Sequence, residues 1–95
     1  METRQLETWH IVASGRVQGV GYRAACAARA SELALRGWVR NRSDGTVEVM
    51  ARGSPGQLRA LCDWMRIGPP AAQVLDLAVA LSEGEFQGFI WRPTV

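Results

Sequence analysis

Apolar residues that alternate with polar residues predict five short β-strands along this chain. A clear example is TVEVMAR at residues 46–52, where Val47 and Val49 alternate with Thr46, Glu48 and Met50. A Ser-Asp-Gly turn at residues 43–45 precedes this segment and predicts a hairpin with the strand before it. The predicted strands cover residues 6–14, 38–42, 46–52, 74–81 and 86–92.

A different spacing, with apolar residues three and four positions apart, predicts two α-helices. The first covers residues 22–35 and ends before Gly37. The second begins after Ser54, a favourable N-cap, with Pro55 in its first turn, and runs to about residue 67. The apolar stripes are Tyr22, Cys26, Ala30 and Leu33 in the first helix and Leu58, Leu61, Cys62 and Met65 in the second.

The element order β-α-β-β-α-β, followed by a short extra C-terminal strand, predicts an α+β fold of the ferredoxin-like sandwich type. We expect an antiparallel sheet with both helices on one face, and we expect strands 1 and 3 to be parallel neighbours. Residues 1–95 are predicted to form a single domain in which residues 1–5 are a disordered tail. This fold serves many activities, so it does not identify a function.

Composition excludes several classes of function. A net charge of +2 is too small to indicate nucleic-acid binding by itself, although all eleven basic residues are arginines. The only two cysteines, Cys26 and Cys62, lie on helical apolar stripes, which favours buried thiols in the reducing cytoplasm. The first ten residues lack the apolar stretch of a signal peptide, and no apolar run is long enough to span a membrane. With one histidine and two distant cysteines, no metal-ligand set is visible.

The segment GRVQGVGYR, residues 15–23, joins the first strand to the first helix. Gly15, Gly19 and Gly21 allow positive φ, so that successive amide N–H groups at a helix N-terminus could converge on an anion. Arg23 lies in the first turn, where a cation opposes the helix dipole, and this placement suggests that it meets an anion. The residues alone leave open whether the segment is an anion cradle or only a tight turn, because it matches neither phosphate-loop pattern GxxxxGK[ST] nor GxGxxG.

A second segment, GWVRNRSDGTVE at residues 37–48, contains Asn41 near the end of strand 2. Asparagine is uncommon in strands. Its amide offers one acceptor and two donors, which suits holding a water molecule. A solvated or hairpin-capping asparagine remains the alternative.

Together, these two segments resemble the signatures of the acylphosphatase family, and the resemblance extends from about residue 8 to residue 92. It implies an enzyme that hydrolyses the carboxyl–phosphate bond of acyl phosphates, without metal or cofactor. It also implies that Arg23 binds the phosphoryl group and that Asn41 positions the attacking water. The implied phosphate-binding loop comprises Gly15, Arg16, Val17, Gln18, Gly19, Val20 and Gly21. The C-terminal FIWRPTV departs from the basic strand end that is usual in the family.

No nucleophile with an adjacent base is evident in the sequence, so we expect direct attack by water, with the substrate serving as its own general base. His10 is expected to be structural or solvated. The expected partners are a small-molecule acyl phosphate and inorganic phosphate or a similar anion at the loop, with no nucleic acid and no membrane, and the protein is expected to be a monomer. An RNA-recognition module is disfavoured because strand 3 carries no aromatic residue. The other alternative is a non-catalytic acyl-phosphate-binding or interaction module, such as the related domain of carbamoyl-transfer enzymes that mature hydrogenases.

Overall fold

The computed structural model describes residues 5–95, so all but the last residue of the predicted tail at 1–5 lies outside the described part. The predicted order of strands and helices is confirmed. The elements are β1 (Glu7–Arg16), α1 (Tyr22–Glu32), β2 (Arg36–Asn41), β3 (Val47–Gly53), α2 (Pro55–Met65), β4 (Gln73–Ser82) and β5 (Phe89–Arg92).

Five strands form one sheet in the order β4-β1-β3-β2-β5. The expectation that strands 1 and 3 are parallel is wrong, because β1 and β3 pair antiparallel with Ile11 opposite Val49. The reason lies in the connections: β3 returns from β2 through a hairpin, and it occupies the position between β1 and β2. The crossover helix α1 therefore joins two parallel strands that are not neighbours. Among the strands of residues 5–95, only β2 and β5 pair in parallel, which makes the sheet mixed rather than wholly antiparallel.

One face of the sheet packs against both helices and forms the core. Helix α2 begins with the predicted Ser54 cap, whose side chain accepts from the Gln57 amide N–H while the Gln57 side chain accepts from the Ser54 amide N–H. Both cysteines are free and buried, as predicted. Burial, helped by the neighbouring Cys62, raises the pKa of Cys26 to about 12. The fully buried apolar side chains include Ile11, Val39, Val47, Val49, Leu58, Leu61 and Met65.

Several element boundaries differ from the sequence predictions by one to three residues. Helix α1 ends at Glu32 rather than residue 35, because the chain reverses through Ala34 in the left-handed region at φ 60°. Strand β5 begins at Phe89 rather than residue 86, after Gly88 turns the chain at φ 66°. Both differences arise where a single residue adopts positive φ, which periodicity alone does not reveal.

The other face of the sheet carries a charged cluster. Glu48 lies between His10 and Arg40, with His10 Nε2 at 2.7 Å from one carboxylate oxygen and Arg40 Nε donating to the other at 2.8 Å. Burial opposes the charge of Glu48, but the hydrogen bonds to His10 and Arg40 outweigh it and hold the pKa of Glu48 below its usual value. His10 is thus engaged on the face of the sheet that the helices leave uncovered. Within residues 5–95, no helix is long and apolar enough to cross a membrane.

Candidate active site

Residues 17–21 form a loop that leaves the end of β1 and leads into the N-terminus of α1. Gly21 is the N-cap of α1 and has φ 77°, and Gly19 has φ 74°. A Cβ atom at either position would meet nothing within 4 Å, so backbone conformation rather than crowding favours glycine at both. The two glycines turn the chain so that the loop curls over the helix N-terminus.

The amide N–H groups of this loop are available to a ligand. Those of residues 18–21 donate to no backbone carbonyl within the described residues. The first turn of α1 adds further N–H groups that have no partner within the helix, and it contains no acidic residue. The loop and the helix terminus therefore form a concentration of donors and positive potential suited to an anion.

Gln18 ties the loop to the hairpin between β2 and β3. Its side-chain Nε2 donates to the carbonyl oxygens of Arg42 and Thr46, both at 2.8 Å. These bonds join segments that are 24 and 28 residues apart in sequence. The side chain of Gln18 thus holds the loop next to the end of β2, where Asn41 lies.

Strand β5 orients the Arg23 side chain. One terminal nitrogen, Nη1, donates to the Arg92 carbonyl at 2.9 Å, and the guanidinium lies 5.0 Å from the centre of the Trp91 ring. Arg23 Nε is buried and has no hydrogen-bond partner in the described part of the chain. No carboxylate among residues 5–95 lies within 4 Å of this guanidinium. The cation is held in place but not neutralised.

Asn41 lies at the end of β2, on the side of the sheet that faces the helices. Its Oδ1 atom is buried without a hydrogen-bond partner among the described residues. The main chain here is held by the last residue, because Val95 N–H donates to the Asn41 carbonyl at 3.1 Å and the Val95 carbonyl accepts from Ser43 N–H at 2.6 Å. An unpaired buried amide oxygen is costly, which marks this atom as a candidate to bind a ligand or a water molecule.

These groups surround an open cleft of about 290 Å³. It brings together six of the nine predicted site residues, namely Val17, Gln18, Gly19, Gly21, Arg23 and Asn41. The other three do not line it. Gly15 and Arg16 belong to β1 rather than to a loop, and they pair with Val74 and Gln73 across a bulge. Val20 is half-buried and packs against the core.

Gly15 has a structural role in this arrangement. It has φ 115°, and an added Cβ would lie 2.3 Å from the Gln73 carbonyl oxygen. Glycine at this position lets β1 continue past the bulge in register with β4. The first glycine of the motif therefore shapes the strand end, whereas Gly19 and Gly21 shape the loop.

Three residues that line the cleft were not predicted, namely Tyr22, Ala24 and Trp91. Tyr22 is buried at the start of α1, where its hydroxyl donates to the Met65 carbonyl at 2.7 Å and anchors the helix start to the end of α2. Trp91, at the end of β5, lines the cleft directly. The signal available for Trp91 was the departure of FIWRPTV from the usual C-terminal strand, but its proximity to Arg23 depends on the parallel register of β5 with β2.

Nothing else in the cleft suggests a metal centre or a nucleophile. No group of three or more His, Cys, Asp or Glu side chains that could hold a metal ion occurs within residues 5–95. The thiols of Cys26 and Cys62 are buried, and burial raises the pKa of both. The side chains of Gln18 and Tyr22 already donate elsewhere in the fold. This leaves the cleft with amide N–H groups, the guanidinium of Arg23 and the carboxamide of Asn41.

Comparison with known proteins agrees with this geometry. A Cupriavidus necator protein named acylphosphatase is 66% identical over 89 residues, which cover 94% of this chain and 97% of the relative. The structure of an acylphosphatase from Coxiella burnetii superposes with a TM-score of 0.90 at 34% identity and covers 97% of this chain and 100% of its own. Full-length HypF, in a phosphate- and nucleotide-bound form, shares the fold with a TM-score of 0.89 at 24% identity, but the match covers only 13% of that protein. The acylphosphatase family model matches residues 9–95, and the chain belongs to the acylphosphatase family.

Proposed function

We propose that this protein hydrolyses the carboxyl–phosphate bond of acyl phosphates to give a carboxylate and inorganic phosphate, by direct attack of water. The observation that carries the proposal is that two buried atoms without hydrogen-bond partners, Arg23 Nε and Asn41 Oδ1, belong to residues that line one cleft. The free amide N–H groups of residues 18–21 belong to the loop that lines the same cleft. The relatives named acylphosphatase support the same reaction.

The phosphoryl group binds in the loop. Backbone N–H groups of residues 17–21 and the guanidinium of Arg23 donate to its oxygens, and the N-terminus of α1 adds a favourable potential. In phosphoryl transfer, charge spreads over these oxygens in the transition state, so fixed donors aimed at them lower the barrier. The Gln18 side chain contributes by holding the loop in place, while its backbone N–H is one of the donors to the phosphoryl group.

Water is positioned by Asn41. Its Oδ1 accepts a hydrogen bond from the water, and the water attacks phosphorus on the side opposite the carboxylate. The carboxylate is a good leaving group, so it departs without protonation by the enzyme. No general base is needed from the protein if a phosphoryl oxygen takes the proton of the attacking water. His10 is bound to Glu48 on the other face of the sheet, which agrees with this absence of a base.

We also propose that the enzyme acts as a monomer in the cytoplasm. The loop, Arg23 and Asn41 meet at one cleft of a single chain, so the proposed site needs no residue from a second copy. Both cysteines are free thiols, which supports a reducing cytoplasmic compartment.

The test is hydrolysis of benzoyl phosphate by the wild type and by Arg23→Ala, Arg23→Lys and Asn41→Ala, with a chelator present. Loss of one preorganised donor reduces rates by roughly 10²–10³. Arg23→Ala should lower kcat/KM at least that far, and Arg23→Lys should recover only part of the loss because lysine lacks the guanidinium fork. Asn41→Ala should lower kcat more than it raises KM, since the water acts in the transition state. Arg59→Ala, an exposed arginine on α2, is the matched control.

Each measurement has an opposing result. Full activity in Arg23→Lys would contradict recognition of phosphate by a fork of donors. Inactivity of a folded wild type that still binds phosphate would favour the interaction-module alternative. Equal hydrolysis of p-nitrophenyl phosphate, an ester, would contradict a site that depends on the carboxylate leaving group.

A further inference from the structure

A second, apolar groove adjoins the catalytic cleft and runs along α1. It has a volume of about 400 Å³, between the exposed side of α1 and strand β5. Ala24 and Trp91 line both this groove and the cleft, so the groove lies directly beside the cleft. The helix side of the groove is lined by Ala24, Ala27, Ala28 and Ser31, and the strand side by Phe89, Ile90 and Trp91.

The groove exists because the side chains on this side of α1 are small. Three alanines and a serine occupy positions where a globular helix usually presents long polar side chains to solvent. Opposite them, Phe89 is half-buried against the core and Trp91 is 56% exposed. The strand side is therefore apolar and largely aromatic, and the helix side presents only small side chains. From residue 24 to residue 31, at a rise of 1.5 Å per residue, the helix side is about 10 Å long.

We propose that this groove binds the acyl group of the substrate and selects apolar acyl phosphates, either medium-length alkyl or aromatic. The proposal rests on the function proposed above, because it assumes that the phosphoryl group lies in the loop. An acyl phosphate bound there extends its carbon chain away from phosphorus, and a chain that passes between Ala24 and Trp91 enters the groove. Trp91 then has two contacts, the Arg23 guanidinium and the first carbons of the acyl chain.

The alternative exit from the cleft is basic. This second route is a separate pocket of about 210 Å³, lined by Arg23, Trp91, Arg92 and Pro93. It would favour an acyl group that carries a second negative charge. The apolar groove is larger, and no charged side chain lines it. Burial of a carbon chain in it removes apolar surface from water on both partners.

The experiment measures binding by isothermal titration calorimetry of methyl-, propyl- and hexylphosphonate, which are not hydrolysed. A fully buried methylene improves affinity about fourfold, so a groove open on one side should give about twofold per methylene. Hexylphosphonate should therefore bind the wild type roughly 30-fold more tightly than methylphosphonate, which has five fewer methylenes. An acyl group that carries a second negative charge is represented by 2-carboxyethylphosphonate, which should bind no better than propylphosphonate.

Two variants place a polar amide in the groove. Ala28→Gln should abolish most of the gain for hexylphosphonate and leave methylphosphonate unchanged. Ser31→Gln, one turn further from the cleft, should weaken hexylphosphonate but not propylphosphonate. The matched control is Ala78→Gln, an exposed alanine on β4 at the opposite edge of the sheet, which should retain the whole gradient.

An equal affinity for all three alkylphosphonates in the wild type would overturn the proposal. So would an Ala28→Gln variant that loses methylphosphonate as much as hexylphosphonate, because the effect would then act through the loop. Preference for 2-carboxyethylphosphonate would assign the acyl group to the basic exit instead. These results are separate from turnover: a wild type that shows the gradient but hydrolyses no acyl phosphate would contradict only the proposed reaction.

Discussion

Replacement of Gln18 tests whether the loop is held by its contact with the β2–β3 hairpin. Gln18→Leu keeps most of the side-chain volume but removes two hydrogen bonds of 2.8 Å. Each such bond contributes about 0.5–1.5 kcal/mol net. Both acceptors keep another donor, since the Arg42 carbonyl also accepts from Gly45 and the Thr46 carbonyl from Arg42. No carbonyl is left unpaired, so the expected loss in free energy of unfolding is about 1–2 kcal/mol.

Gln18→Glu distinguishes lost donors from lost packing. At pH 7 the carboxylate that this variant introduces at position 18 would face two carbonyl oxygens. The Gln18→Glu protein should therefore be less stable than the Gln18→Leu protein, although glutamate is closer in shape to glutamine. The assay is urea unfolding of each variant, together with the affinity for inorganic phosphate, which should fall in both because the loop is no longer fixed. Gln87→Leu, at an exposed position, is the control. A Gln18→Glu protein as stable as the wild type at pH 7 would refute the proposed contact.

Three further changes probe the frame around the site. Glu48→Gln should lower the free energy of unfolding at pH 7 by about 1–2 kcal/mol. Because folding lowers the pKa of Glu48, the stabilisation by its carboxylate is complete above the ordinary carboxyl pKa of 4.5 and is lost as the pH falls below that value. In urea unfolding at about pH 3–6, the free energy of unfolding of the variant should therefore fall less steeply with falling pH than that of the wild type. Gly15→Ala should cost about 2 kcal/mol or more, seen as a lower Tm, because its Cβ would meet the Gln73 carbonyl oxygen at positive φ. Tyr22→Phe should lose about 1 kcal/mol through its missing bond to the Met65 carbonyl, with kcat for benzoyl phosphate little changed; a tenfold fall in kcat would show that the hydroxyl also acts on the site.

Local patterns predicted the elements of this fold but not how two of the strands run relative to one another. Residues 46–52 alternate clearly enough to identify β3, and the Ser-Asp-Gly turn explains its hairpin with β2. That hairpin sets β3 antiparallel to β2, and the crossover through α1 sets β2 parallel to β1, so β3 runs antiparallel to β1. The expectation that strands 1 and 3 are neighbours is confirmed, and only their expected parallel direction is wrong, because alternation reports which residues share a face and not the direction of the adjacent strand.

At the site, too, the sequence predicted the local features but not the long-range contacts. The Gly-rich segment and Arg23 could be found from sequence because glycine spacing and a cation at a helix N-terminus are local features. The partner of Gln18 lies in the β2–β3 hairpin, more than twenty residues away, and the partners of Arg23 lie on β5. A four-residue strand such as β5 is too short for periodicity to show which side chains face the helices. The contacts that orient the site therefore became visible only with the sheet register.

The position of Trp91 has a practical consequence for optical measurements. The chain contains four tryptophans, of which Trp9 and Trp64 pack against the core and Trp38 lies under the guanidiniums of Arg40 and Arg92. Only Trp91 is both more than half exposed and in the cleft, stacked with the guanidinium that we propose binds the phosphoryl group. Ligand binding should therefore change the fluorescence of one indole against a constant background from three. The protein carries an intrinsic reporter of site occupancy, and Trp91→Phe provides its blank.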